Sequence, residues 1–225
     1  GGLPAGARAG LRQLRRLVAA EARAGRDWQT AVDGARTHAE ATWQGWPVAE
    51  QAKALRHLRA WWDVHRYRLA PQVDGRLRAA LATGALTIHA GRIQAIARDG
   101  DRLTLRFRPR GETTIRALSA DAIVNCMGPV ANITRTPNPA VRSLLDTGAG
   151  TADAHRLGLQ VDSGYRLIDA AGNADAHLRA VGPLTRGVFW EVVGVPELSA
   201  HCRRLAEITL WEFGLGTTAR AASSA

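Results

Sequence analysis

The sequence predicts an α/β protein whose N-terminal third is helical and whose remainder contains a sheet. Apolar residues recur at three- and four-residue spacing from Leu11 to about Ala41, with arginines on the other face, which is the period of an amphipathic helix. Residues 102–108 (RLTLRFR) alternate strictly between polar and apolar side chains, as a strand with one solvated face does. Residues 122–126 are nearly all apolar, which favours a strand covered on both faces inside an α/β sheet.

A helical subdomain is expected over residues 1–84. Pro47 suits the first turn of a second helix, and Glu50 close behind it suits the positive end of the helix dipole. This helix is expected to continue to Pro71, which can itself start a third helix. The third helix is expected to end near Gly84, because glycine readily adopts the conformation that terminates a helix.

The second region, residues 85–215, is expected to begin with an antiparallel β-meander. Its three short strands are separated by turn sequences and are expected at residues 86–93, 102–108 and 113–118. Loops are expected over residues 130–157, and a helix is expected over residues 195–210 with Pro196 at its start. Residues 216–225 are small and polar, so a disordered tail is expected there.

Two apolar segments of this region each end in a Gly-Pro pair. They are residues 122–126, before Gly128 and Pro129, and residues 178–181, before Gly182 and Pro183. Ligands in α/β sheets bind at the carboxyl ends of strands, where the backbone approaches them closely, and glycine allows that approach because it has no side chain. We call these two segment ends the first and second Gly-Pro stops. Two such stops favour a shared ligand-binding edge, and two ordinary strand-to-loop turns are the alternative.

The chain is strongly basic, with a formal net charge of +10 from 30 basic and 20 acidic residues. Residues 1–80 hold 14 Lys and Arg against 7 acidic residues, a net charge of +7 (14 − 7), so an anion-binding surface is expected in this part. Lys53 is the single lysine, and this arginine bias is typical of GC-rich codon usage. Solvated helix faces are therefore favoured over a functional basic patch.

Several classes of protein and site are not favoured. No apolar run reaches the roughly 20 residues of a membrane span, and the Arg-rich first residues lack the apolar core and cleavage site of a secretory signal. Cys126 and Cys202 make no disulfide framework, so a cytoplasmic protein without membrane contact is expected. The 7 histidines lack the spacing of metal ligands, and no metal site is expected.

Three segments have a residue order that is more specific than the periodicity of a helix or strand. They are LRHLRAWWDVHRYRLAP (55–71), AIVNCMGP (122–129) and VGPLTRGVFWEVVGVPEL (181–198). Together they resemble a bacterial family of FAD/NAD(P)-binding oxidoreductases, of the flavoprotein type with two dinucleotide-binding domains, and the resemblance extends over most of residues 10–212. It implies a partial Rossmann-like FAD/NAD(P)-binding fold, FAD as the cofactor and NAD(P)H as a candidate electron donor. The small-molecule substrate stays unknown.

The resemblance places the flavin beside the two Gly-Pro stops and the segment TRGVFWE (185–191), where a cation and aromatic rings can contact a flat ring. The cofactor-binding residues that it implies are Gly128, Pro129, Gly182, Pro183, Leu184, Arg186 and Trp190, and no catalytic residue is assigned. In WWDVHRYR (61–68), Arg66 and Arg68 are candidates for contacting a nicotinamide-cofactor phosphate or an acidic substrate. An ordinary amphipathic helix end is the alternative for this segment.

The sequence departs from the flavoprotein pattern in one main respect. The fingerprint that binds the FAD pyrophosphate, a strand followed by G-x-G-x-x-G, is absent from the 225 residues. GAG at 148–150 does not complete it, because Asp153 stands where the third glycine belongs. The chain begins at Gly1 and its only methionine is Met127, so the fingerprint is expected upstream of this chain.

The leading hypothesis is therefore the C-terminal part of an FAD-dependent oxidoreductase. A basic module that binds nucleic acid or another polyanion is the second hypothesis, and it rests on residues 1–80; recognition of a specific nucleic-acid sequence is not expected. An inactive fragment is the third hypothesis. Salt-sensitive DNA binding favours the second, and a G-x-G-x-x-G motif upstream of Gly1 separates the first from the third.

Overall fold

The structure of the chain, a computed structural model, describes residues 3–126, 128 and 132–215. These residues form a mixed α/β fold with small antiparallel sheets and several helices, which confirms the predicted class at this level. Pro129 and the expected tail, residues 216–225, lie outside the described residues.

The described elements are as follows in chain order. The helices are α1 (Ala7–Arg23), α2 (Gln29–Thr37), α3 (Ala39–Gln44), α4 (Val48–His57), α5 (Arg59–Arg66), α6 (Pro71–Ala82), α7 (Pro139–Thr147), α8 (Arg186–Phe189) and α9 (Val195–Glu212). The strands are β1 (Gly91–Asp99), β2 (Arg102–Pro109), β3 (Arg116–Ala120), β4 (Arg166–Ile168) and β5 (Ala174–Arg179). Short 3-10 helices occupy Ile133–Arg135 and Gly182–Thr185.

The described residues fall into two compact units. The first unit joins residues 3–67 to residues 132–215, and the second holds residues 68–126 and 128. This division differs from the expected boundary near residue 84. Helices α1 to α5 belong with the C-terminal residues, whereas α6 belongs with the meander.

The N-terminal helices follow the apolar periodicity, but the pattern from Leu11 to Ala41 is divided among three helices. Helix α1 ends at Arg23 because Gly25 adopts a φ of +68°, the left-handed conformation typical of the residue after a helix C-cap. The amide of Ala7 at the start of α1 donates to Glu50 Oε2 (2.9 Å), which ties α1 to α4. Pro71 begins α6, as expected.

The predicted meander is confirmed in the second unit. Strands β1, β2 and β3 pair antiparallel in that order, with Ile96, Leu105 and Leu118 adjacent on one face. The alternation of β2 holds, since Phe107 is buried and Arg106 is exposed. Strands β1 and β3 begin later than expected, at residues 91 and 116.

The predicted buried strand over residues 122–126 is wrong. These residues form no strand, and the side chain of Val124 is 80% exposed. Strand β3 ends at Ala120, and no described strand lies beside the segment that follows. All strand pairs among the described residues are antiparallel. An apolar run becomes a buried strand only when neighbouring strands and covering elements flank it, and periodicity alone does not reveal them.

The expected loop over residues 130–157 is also partly wrong, because it contains α7. Asn138 caps this helix by accepting the amides of Ala140 (3.0 Å) and Val141 (3.2 Å). Pro139 occupies the first turn, and Gly148 ends the helix with a φ of +75°. These start and stop signals are visible in the sequence and outweigh the turn-like composition around them.

The core of the first unit joins its two chain segments. Its larger cluster of buried side chains consists of Ile133, Val141, Leu159, Val161, Tyr165, Leu167, Ala180, Phe189 and Val192. A second cluster packs Ala39 and Trp43 of α3 against Trp190. The N-terminal helices are therefore held directly against the segment that follows β5.

Candidate functional site

The second Gly-Pro stop lies just after β5, where the chain leaves the sheet. Val181 is extended, and Gly182 turns the chain with a φ of +79° into the 3-10 helix. A Cβ at this glycine would lie 3.0 Å from Leu198 Cδ1 on α9. Glycine is therefore favoured by the backbone conformation. The flexible end of Leu198 lies close beside Gly182, and contact of this glycine with a ligand stays a prediction.

Pro183 and Leu184 form an exposed edge on a buried base. Beneath them, Thr185 is fully buried and donates its hydroxyl to the carbonyl of Gly182 (2.9 Å). The carbonyl of Leu184 accepts the amide of Leu159 (2.7 Å), and a side chain at Gly158 would overlap that carbonyl. The exposed edge is thus fixed from below by hydrogen bonds and close packing.

Arg186 follows this edge at the start of α8. Its guanidinium lies over the ring of Trp190, with its central carbon 5.0 Å from the ring centroid. Its Nε is buried and makes no hydrogen bond within the part of the chain that the structure describes. A buried guanidinium donor without a partner is uncommon in a folded protein.

Trp190 has a strained backbone. Its φ of +60° and ψ of −71°, with the amide of Glu191 donating to the carbonyl of Phe189 (2.8 Å), form a classic-type γ-turn, which is rare in proteins. Trp190 stacks on Trp43 with centroids 4.6 Å apart, and Trp43 Nε1 donates to the carbonyl of Gly187 (2.7 Å). Packing and hydrogen bonding thus hold the strained turn in place.

The two aromatic rings of TRGVFWE are not available as a platform for a flat ligand. Trp190 is 8% exposed and already contacts Trp43 and Arg186, and Phe189 packs against Tyr165 and His201. The expectation that these rings stack on a cofactor is therefore not met in this structure. Both serve the core of the first unit.

The γ-turn directs Glu191 toward α5. One carboxylate oxygen accepts Trp62 Nε1 (2.9 Å) and the other accepts Arg66 Nε (3.3 Å). The side chains of Glu191 and Arg66 are only 8% and 12% exposed. Arg66 was a candidate for contacting a phosphate. In the structure it is instead engaged by carboxylates and is not open to a phosphate. Glu191 itself was not identified from the sequence, because nothing local marks a glutamate whose partners lie on a distant helix.

A second ion pair extends this arrangement to α2 and α9. Arg36 on α2 pairs with Glu197 on α9, and Arg66 Nη2 lies 3.5 Å from the same carboxylate. Burial raises the pKa of Glu197, but the hydrogen bond from Arg36 and the charges of Arg36 and Arg66 lower it by more. The net result is a pKa below the usual value for this carboxyl.

A buried polar network lies next to these ion pairs and includes two residues of α9. Tyr165 is fully buried, and its hydroxyl lies 2.7 Å from His201 Nδ1 and accepts Arg204 Nε at 2.6 Å. Glu40 on α3 lies 3.3 Å from His201 Nε2 and accepts Arg204 Nη2 at 3.0 Å. Burial raises the pKa of Glu40, but its bonds to His201 and Arg204 lower it below the usual value. These groups satisfy one another and link α3 to α9.

A cavity of about 360 Å³ opens beside these two networks. It is lined by Asp33, Arg36, Thr37, Glu40, Glu191, Glu197, Ala200 and His201. Most of its charged groups are engaged in the pairs described above. Within the described ranges, no group of histidine, cysteine, aspartate and glutamate side chains could hold a metal ion. The cavity is a polar cleft suited to a small polar molecule.

The first Gly-Pro stop belongs to the other unit. Gly128 is exposed, with a φ of +76° and open space where a Cβ would stand. Pro129 lies outside the described residues. Of the expected cofactor-binding residues, Pro183 and Leu184 are exposed and Arg186 is half-buried, whereas Gly182 and Trp190 are buried. The stretch from Gly182 to Arg186 is named the Gly182–Arg186 edge.

Comparison with known proteins adds no relative to this description. No family model, no curated protein and no solved structure matches the chain. Across the part that the structure describes, no helix combines the length and the apolar character needed to cross a membrane.

Proposed function

We propose that this chain is the C-terminal part of an FAD-dependent oxidoreductase and that the Gly182–Arg186 edge faces the isoalloxazine ring, with NAD(P)H as a candidate electron donor. The observation that carries the proposal is this exposed edge on its buried base. It follows the last described strand and lies within VGPLTRGVFWEVVGVPEL, the most specific of the three resembling segments.

The chemistry of the edge suits one side of a flat, mostly apolar ring with polar atoms at its rim. Pro183 and Leu184 offer apolar surface, and the half-buried guanidinium of Arg186, whose Nε is buried, adjoins them. A cation near a flavin stabilises negative charge on the ring and hydrogen-bonds its polar rim. The rigid base keeps the edge in position without a ligand.

The same region does not suit the pyrophosphate of FAD. Pro196 and Glu197 occupy the first turn of α9, and the negative charge of Glu197 faces the helix end that would otherwise attract phosphate. No G-x-G-x-x-G motif occurs in the 225 residues. In this proposal the chain therefore contacts the ring, and pyrophosphate binding depends on a fingerprint outside these residues.

The Glu191 network has a positioning role in this proposal. Through Trp62 and Arg66 it anchors α5 to the segment that carries the edge. Helices α1 to α5 then form a lobe fixed beside the ring site, and the cleft near Glu197 is the candidate place for a small polar substrate.

Binding of the ring can be tested on the chain as it stands by NMR. Backbone amide spectra are recorded during titration with riboflavin, which carries the ring without pyrophosphate, and separately with ADP. We expect riboflavin, titrated up to its solubility limit, to shift the amide resonances of Gly182, Leu184, Thr185 and Arg186, and ADP to leave them unchanged. Unshifted resonances with riboflavin, or a response to ADP alone, would contradict the proposal.

Arg186→Ala provides the matched variant for this titration. A charge-assisted hydrogen bond is worth about 1.5–3 kcal/mol, so its loss should weaken riboflavin binding by about 10- to 100-fold. Arg203→Ala is the control, because Arg203 is an exposed arginine of α9 that has no ion pair within the described ranges. Equal affinities of the two variants would remove Arg186 from the site. Gly182 is unsuitable for this purpose, since a side chain there would first disturb Leu198.

A further inference from the structure

Helix α1 carries a continuous basic face. Arginines occur at positions 8, 12, 15, 16 and 23, and all five are exposed. At about 100° per residue they lie within an arc of roughly 100°, and Ala19 is the other residue in that arc. At 1.5 Å per residue they extend over about 22 Å of the helix.

These arginines have no ion pairs among the described residues, although arginines elsewhere in the chain do. Arg78 and Arg116, for example, each pair with an acid four positions away, whereas Glu21 of α1 pairs with Arg26 beyond the helix end. Codon usage explains many arginines, but it does not explain why this helix gathers five unpaired ones on one side.

The arrangement is also locally unfavourable. Arg8 lies in the first turn of α1, which contains no acidic residue of its own, and its charge opposes the positive end of the helix dipole, where Glu50 of α4 accepts the amide of Ala7. Arg12 lies one turn from both Arg8 and Arg16, and like charges at this spacing destabilise a helix. Departures from local preference of this kind are expected where an external ligand compensates them.

The opposite face of α1 is used by the protein itself. Ala7 and Gly10 are buried, and a Cβ at Gly10 would lie 3.0 Å from the ring of Trp46. Leu11 and Leu14 are half-buried toward α2 and α4. An amphipathic helix that binds a membrane needs its apolar face free to enter the lipid, and α1 does not have one free.

We propose that the arginine face of α1 binds the phosphate backbone of double-stranded nucleic acid. Guanidinium groups match phosphate oxygens in bidentate geometry. A stretch of about 22 Å presents about six phosphates of one strand at 3.4 Å spacing, comparable to the five arginines. The face carries no aromatic side chain for stacking on unpaired bases, and contacts of its arginines with phosphates carry no sequence information, so duplex binding is expected to be independent of sequence.

The expected salt dependence sets the scale of the test. Neutralising five phosphates gives a slope of log K against log salt of about −4.5, and affinity falls about 500-fold between 50 and 200 mM salt. Replacement of Arg8, Arg12 and Arg16 by glutamine leaves two arginines on the face and a slope of about −1.8. Glutamine preserves helix propensity, so α1 should persist.

The test measures fluorescence anisotropy of labelled 25-base-pair duplexes of two unrelated sequences with the whole chain, from 50 to 200 mM salt. The control variant carries Arg76→Gln, Arg98→Gln and Arg203→Gln, three exposed arginines outside α1 that have no ion pair among the described residues. Circular dichroism melting confirms that both triple variants fold. We expect equal affinity for the two duplexes, the steep slope in wild type and control, and the shallow slope in the α1 variant.

Three results would overturn the proposal. One is absence of duplex binding at 50 mM salt. Another is equal weakening of the α1 and control variants, which would indicate diffuse attraction by the net charge. The third is tighter binding to phosphatidylserine vesicles than to duplexes with the same dependence on the α1 arginines, which would identify a membrane surface as the partner.

Discussion

At the residue scale, two glycines and a strained tryptophan shape the segment after β5. Gly187 is the more demanding glycine, because a Cβ there would overlap the carboxylate of Asp153. That carboxylate is buried and accepts the amides of His155 and Gly158. Nothing in the sequence around either glycine shows that packing requires it. The reason is that the group occupying the space of each missing side chain is remote in the chain.

Gly187→Ala should therefore destabilise the fold. Overpacking of this kind costs about 1–3 kcal/mol, and displacement of Asp153 would add unsatisfied amides to that loss. Gly34→Ala is the matched control, because Gly34 lies inside α2 with open space at its Cβ position. It should stabilise the protein by up to about 1 kcal/mol through helix propensity. Urea unfolding measures the free energy of unfolding of both variants. If Gly187→Ala is as stable as Gly34→Ala, or more stable, the packing argument is refuted.

At the element scale, ion pairs join helices that are distant in the chain. Glu197 on α9 contacts Arg36 on α2 and Arg66 on α5, and its lowered pKa links this junction to pH. A carboxyl with a lower pKa in the folded state contributes stability above its unfolded pKa. That contribution is lost as the pH falls through the folded value.

Glu197→Gln should accordingly lower the free energy of unfolding at pH 7 by about 1.5–3 kcal/mol, the size of a charged hydrogen bond. The difference from wild type should be constant above the usual pKa near 4.5 and shrink as the pH falls below it. Glu207→Gln is the control, because Glu207 is an exposed glutamate of α9 and has no ion pair in the part of the chain that the structure describes. Urea unfolding at several pH values measures both, and a deficit that persists at pH 2 would show that the charge of Glu197 is unimportant.

Elements with strong local signals were predictable from the sequence. The structure confirms the proline starts of α6 and α9 and the alternation of β2. The apolar run at 122–126 was misread as a buried strand, because burial depends on neighbours that periodicity does not specify. The turn-like composition around residues 130–157 concealed α7 in the same way. For the site, the cofactor-binding role of residues 182–186 stays a prediction, and the Glu191 junction was not predicted, since its partners on α5 come from a different part of the chain.

At the scale of the whole molecule, the proposal assigns ring contact to this chain and pyrophosphate binding to residues outside it. This predicts how the purified chain behaves with FAD. Without a G-x-G-x-x-G fingerprint, it should hold no stoichiometric FAD and be colourless. Absorbance spectroscopy after gel filtration in excess FAD tests this expectation. A yellow protein that keeps its flavin through the column would show that the 225 residues bind the whole cofactor, and the ring-only role proposed for the Gly182–Arg186 edge would then be too narrow.

The first unit is assembled from two stretches of chain separated by the second unit, and this has a consequence for biosynthesis. Arg66 and Glu191 are 125 positions apart. At about 5–20 residues per second, a ribosome needs about 6–25 s to make the intervening chain. During that interval the nascent helices display Trp43 and Trp62 without the segment that will cover them. Slower translation of the intervening segment should lengthen the period of chaperone dependence, whereas the final stability of the released protein should stay the same.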